Sequence, residues 1–135
     1  MTIVVGYIPS PEGLSALDRA IERAQRDDAK LVVVNTGHRS NTAHPNYASD
    51  QDLDALVERL QGFGVEHEVR QQDMATDAAD EILTAAEEVD ASLIVIGVRR
   101  RSAMGKLIAG STAQKVLLEA SCDVLAVKDE SADAK

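Results

Sequence analysis

Residues 91–111 read ASLIVIGVRRRSAMGKLIAGS. The apolar run Ala91-Ser92-Leu93-Ile94-Val95-Ile96 has the composition of a buried strand and feeds into Gly97. A basic loop follows, Val98 to Ala109, and Gly110-Ser111-Thr112 opens a helical segment over Ala113–Ala120. This order of parts suits an anion. The first N–H groups of a helix have no acceptor within it, and the helix dipole favours negative charge there. Glycine lets the backbone come close. The charge distribution points the same way. The chain has 23 acidic and 14 basic residues, net −9, yet Arg99, Arg100, Arg101 and Lys106 fall within eight residues. A solvated loop that is basic without holding a ligand is the competing reading.

Outward from this stretch, strand and helix patterns alternate along the whole chain. Thr2–Ile8, Leu31–Val34, Ala91–Gly97 and Asp123–Lys128 are continuously apolar strands. Val65, His67 and Val69 instead alternate with charged residues, as in a half-exposed edge strand. Between them stand four helical stripes. The first has Ser10 as N-cap, Pro11 at its first position, and Leu14, Leu17, Ile21 and Ala24 on one face. Asn35–Tyr47 is a polar loop without periodicity. Ser49 and Asp52 form a capping box ahead of Leu53, Leu56, Val57 and Leu60, and Gly62 and Gly64 end that helix. Thr76, with Asp77 and Asp80 in the first turn, starts a third helix with face Ala79, Ile82, Leu83 and Ala86. Continuously apolar strands mean burial on both faces, hence a parallel sheet covered by helices on either side. With right-handed crossovers and the alternating third strand at the edge, the pattern predicts a single-domain α/β fold. It is a doubly wound five-stranded parallel sheet of order 3-2-1-4-5. The winding reverses between strands one and four, where such sheets bind ligands at the strands' carboxyl ends. The loops there are Tyr7–Gly13 and Val98–Ala109, so the basic loop falls where this fold puts a ligand.

Composition narrows the classes. Hydrophobic residues make up 44% and aromatics 2%, so the core is built from Val, Leu, Ile and Ala. The acidic balance and the scarcity of stacking rings argue against nucleic acid. Cys122 is the single cysteine, which excludes an internal disulfide and a cysteine-based zinc site. Its place at the start of a strand reads as a buried thiol. No apolar run approaches the ~20 residues of a membrane span, and the amino terminus, MTIVVGY, lacks a signal peptide's basic region. The expectation is a cytoplasmic domain over residues 1–128 with a disordered polar tail, 129–135. G-x-G-x-x-G, G-x-S-x-G and H-E-x-x-H are absent, and Gly105-Lys106 runs into Leu107 rather than completing a Walker A loop. His38, His44 and His67 are scattered, so no metal site is expected.

The block Gly97–Val127 resembles the universal stress protein family, and the resemblance extends over residues 2–128. The nucleotide-binding branch of that family carries G-x2-G-x9-G-[ST]. Gly97 matches its first glycine, Arg100 stands at the second, nine residues (Arg101–Ala109) follow, and Gly110-Ser111 matches the end. Ser121–Lys128, SCDVLAVK, resembles the family's last strand. In the first loop, where the family carries V-D-G-S, this chain has Tyr7-Ile8-Pro9-Ser10, so Ile8 replaces the acidic acceptor and Pro9 the glycine. Thr36 matches a position whose backbone contacts adenine. The resemblance implies a regulatory, stress-response module binding ATP or a related adenine nucleotide, with or without magnesium. The implied site is Ile8, Pro9, Ser10, Thr36, Gly97, Arg99, Arg100, Lys106, Gly110, Ser111 and Thr112. A left-handed conformation at Arg100 would cost ~1 kcal/mol, while its guanidinium offers a planar fork for phosphate. The loss of the acid at Ile8 predicts weak discrimination between bases. No catalytic residue is evident, so hydrolysis of ATP is weak at most. The alternative is a homodimeric interaction protein that binds no nucleotide. In either case Asp123–Val127, an apolar edge strand, is the expected homodimer contact, as in family members resembling this chain.

Overall fold

The computed structural model describes residues 1–38, 48–72, 77–100, 107–108 and 110–128. The histidine-bearing loop 39–47, the start of the third helix at Thr76, the loop residues Arg101 and Lys106, and the tail 129–135 lie outside them.

The strands are β1 (Thr2–Tyr7), β2 (Lys30–His38), β3 (His67–Gln72), β4 (Leu93–Arg100), β5 (Leu107–Ile108) and β6 (Asp123–Lys128). The helices are α1 (Pro11–Asp27), α2 (Asp50–Gly62), α3 (Ala78–Glu88) and α4 (Ser111–Glu119). Five strands form a parallel sheet in the order β3-β2-β1-β4-β6, the predicted 3-2-1-4-5 order with β6 as its fifth member. Alternate strand residues serve opposite faces. Ile3, Val5, Leu31, Val33 and Val95 pack under α1 and α2 with Leu17, Ile21, Leu56 and Leu60. Val4, Val32, Val34, Ile94 and Ile96 pack under α3 and α4 with Ile82, Ala85 and Val116.

The caps follow the sequence closely. Ser10 Oγ accepts from Gly13 N at 3.1 Å with Pro11 in the first turn. Ser49 and Asp52 satisfy each other's backbone N–H at 3.1 and 3.0 Å. Asp77 caps α3, accepting from Ala79 N at 3.2 Å. Among the described residues no helix is long and apolar enough to cross a membrane.

Two strands run further than their apolar cores. β2 continues through Asn35 and Thr36 to His38, residues read from the sequence as loop. β4 continues through Val98, Arg99 and Arg100, also read as loop, and Leu107–Ile108 returns antiparallel on Arg100 and Arg99. The pair Arg99-Arg100 therefore lies in a strand rather than a loop. Its strand geometry also removes the expected conformational penalty at Arg100. The left-handed non-glycine positions among the described residues are Asp28 and Asp90, each just beyond a helix.

Candidate functional site

The chain leaves β1 for α1 on one face of the sheet and β4 for α4 on the other. Between these departures lies a cleft of about 250 Å3. Gly6, Ile8, Glu12 and Gly13 line it from β1 and the start of α1, and Thr36 from β2. Ile96, Gly97 and Val98 form its β4 wall. Ala78 and Ile82 come from α3, and Gly110, Thr112 and Ala113 from α4.

Of the four glycines that line the cleft, three differ in kind. A Cβ on Gly13 would stand 1.9 Å from the carbonyl oxygen of Ile8, and one on Gly97 would stand 2.3 Å from that of Glu12. Both glycines are thus demanded by the fold: α1 could not start so close to β4 over a side chain. Among the described residues a Cβ at Gly110 would meet nothing within 4 Å, and the backbone there is extended, φ −69 and ψ 172. The described residues place no demand for glycine at that position.

The helix starts differ as well. Ser10, Ser49 and Asp77 cap α1, α2 and α3, whereas α4 begins at Gly110 with no side-chain cap. Its first intrahelical bond is Gln114 N to Gly110 O at 3.0 Å, so the preceding N–H groups of the first turn have no acceptor inside the helix. Lys115 holds this helix against α3, with Nζ 3.0 Å from Asp77 and 2.8 Å from Asp80. The two carboxylates push the lysine pKa up, and the Lys115 ammonium holds that of Asp77 down.

Of the residues expected at the site, the cleft collects Ile8, Thr36, Gly97, Gly110 and Thr112. Pro9 and Ser111 adjoin it in sequence but are not part of its lining. The Ser10 hydroxyl is committed to capping α1. Arg99 and Arg100 are backbone partners of β5 at the end of β4, and Lys106 lies outside the described residues. Two residues of the region escaped the sequence reading. Glu12, in the first turn of α1, reads as a dipole-complementing surface acid but is 7% exposed. Asn35 reads as the first residue of a polar loop but is fully buried. Its Nδ2 donates to Tyr7 O at 3.0 Å, and its Oδ1 accepts from Ala48 N at 3.1 Å and Gln71 Nε2 at 2.8 Å. Tyr7 is itself buried, and burial more than the nearby Asp52 pushes its phenol pKa up. A polar residue directly after four β-branched or leucine residues was the available signal for Asn35.

The sequence model of the universal stress protein family matches residues 1–128. The chain belongs to this family. A universal stress protein of Mycolicibacterium smegmatis (strain ATCC 700084 / mc(2)155) is 42% identical over 126 residues, which span 93% of this chain and 96% of that protein. A universal stress protein solved in complex with cAMP superposes with a TM-score of 0.71 at 26% identity, covering 96% of this chain and 97% of that one. The universal stress protein from Archaeoglobus fulgidus in complex with dAMP gives a TM-score of 0.59 at 25% identity, covering 95% and 98%. Fold and family thus agree with the strand order and the block Gly97–Val127 from which they were first read.

Proposed function

We propose that this universal stress protein is a regulatory module that binds an adenine nucleotide in the cleft between β1, β4 and α4. The observation that carries this reading is the start of α4. Its first turn faces the cleft, has no side-chain cap, and begins at a glycine around which the described residues leave open space. A phosphate accepted there would satisfy N–H groups that have no acceptor within the helix. The two solved relatives support the class of ligand, since cAMP and dAMP share an adenine and one phosphate. ATP, with or without magnesium, fits the same reading if Arg99, Arg100 and Lys106 supply countercharge for the further phosphates.

Gly110→Val tests the assignment. The backbone at residue 110 is extended and a Cβ there meets none of the described residues, and the loss of a glycine N-cap costs at most about 1 kcal/mol. Calorimetric titration with AMP and with ATP is expected to give at least tenfold weaker binding, with the circular dichroism of the wild type. Unchanged affinity would remove the phosphate from α4.

A homodimer through β6 is part of the same proposal. Among the described residues β6 pairs with β4 alone, leaving its outer edge open, and Leu117 and Leu118 of α4 are exposed large apolar side chains. An open apolar edge is satisfied by a second copy about a two-fold axis. The same surface is what the nucleotide-free interaction protein would use. Val127 belongs to the core under α1 and is no probe of this edge, because a charge there would disrupt the protomer. Ala126 is exposed and suits the purpose. Light scattering of Ala126→Lys is expected to give the mass of one protomer where the wild type gives two; an unchanged dimer would locate the interface elsewhere.

A further inference from the structure

We propose that Glu12 is the cleft's recognition residue: its carboxylate accepts a hydrogen bond from an N–H or O–H group on the nucleoside part of the ligand. The inference rests on the nucleotide reading above and gives it a specificity. Among the described lining residues Glu12 is the one ionisable group, and at 7% exposure it is close to fully withdrawn from solvent. Ile8, Ile82, Ile96 and Val98 line the cleft with it, together with Thr36 and Thr112. A charged acceptor in such a setting forms stronger hydrogen bonds than a neutral one in water.

The residue's backbone is also closely packed. The missing side chain at Gly97 lets the Glu12 backbone lie directly on β4, so that even the Glu12 Cβ would be 3.1 Å from a Cβ at residue 97. A residue whose backbone is held this way leaves only its side-chain torsions to be ordered when the ligand arrives. A carboxylate has about four acceptor positions, enough for contacts within the protein and for a ligand donor as well. The cleft then has polarity: a donor-bearing group sits at Glu12 on α1, and an anion at the uncapped start of α4. That is the pattern of a nucleoside monophosphate. It also supplies the acceptor that Ile8 lacks, so weak discrimination between bases no longer follows from the isoleucine.

Three ligands distinguish the donors: AMP, inosine monophosphate (the exocyclic amine replaced) and 2′,3′-dideoxy-AMP (the ribose hydroxyls removed). Wild-type protein titrated calorimetrically is expected to bind AMP at least tenfold more tightly than one of the two analogues. Glu12→Gln, nearly isosteric, is expected to weaken AMP about tenfold while changing that same analogue less than twofold, and so to identify the donor. Equal wild-type affinities for all three ligands would overturn the proposal. So would an equal loss for all three in Glu12→Gln, as general destabilisation would produce, or no loss for AMP. The wild-type comparison stands even where the variant does not fold. Wild-type protein that takes up no AMP would instead overturn the nucleotide reading, and this inference with it.

Discussion

Gly97→Ala is expected to lower the unfolding free energy by about 3 kcal/mol or more, at the upper end of what overpacking a rigid contact costs. In an ordinary strand the same change would stabilise, since alanine loses less backbone entropy than glycine. Here the added Cβ would stand 2.3 Å from the Glu12 carbonyl oxygen and 2.7 Å from its carbon, backbone atoms that move only if α1 moves. Thermal unfolding should register a drop of roughly 10 °C for a domain of this size. Gly13→Ala should behave alike, its Cβ falling 1.9 Å from Ile8 O. Gly110→Ala is the control and should stay within about 1 kcal/mol of the wild type, the order of an N-cap change. Equal effects at Gly97 and Gly110 would mean that α1 does not rest on β4 as described.

Asn35→Ala should cost about 2–4 kcal/mol in urea unfolding. Its amide links three strands and the entry to α2: Tyr7 O on β1, Gln71 Nε2 on β3 and Ala48 N ahead of the Ser49 cap. Removing the side chain strands each of these in a buried setting, and one unsatisfied buried group costs about 1–3 kcal/mol. Gln71 keeps one bond, to Ala48 O at 2.8 Å, which holds the total below the simple sum. Asn35→Asp should cost a similar amount, because it loses the donor to Tyr7 O and buries a charge. A loss under 1 kcal/mol for both variants would show that the junction does not depend on this amide.

The fold was legible because its decisive signals are local. Val4, Val32 and Ile94 sit in apolar runs that only a sheet covered on both faces accommodates, and Val65, His67 and Val69 mark the exposed edge by alternation. Ser10, Ser49 and the acids after residue 76 mark the helix starts to within a residue. What stayed hidden depends on partners distant in sequence. Asn35 looks like loop because its amide bonds, to residues 7, 48 and 71, cannot be seen from its neighbours. The two-residue strand Leu107–Ile108 is too short for any periodicity. Val127 reads as part of an open edge, yet the sheet's pleat turns it into the core while Ala126 faces out. At the site, spacing located Gly97 and Gly110 but could not assign their different duties. Gly97 makes room for the Glu12 backbone, whereas a Cβ at Gly110 would meet none of the described residues within 4 Å. Glu12 carries no signal of burial, because an acid in a helix's first turn is ordinarily a solvated one.

The central claim is that the cleft at the carboxyl ends of β1 and β4 is where this universal stress protein takes its ligand. A titration of isotope-labelled protein with AMP, followed by the backbone amide resonances, tests that most directly. Saturable shifts are predicted at Gly13, Gly97, Gly110, Thr112 and Ala113, with Gly64 and Glu66, at the opposite end of the sheet, unmoved. Shifts centred on Gly64 and Glu66, or no saturable shift at any amide, would contradict it.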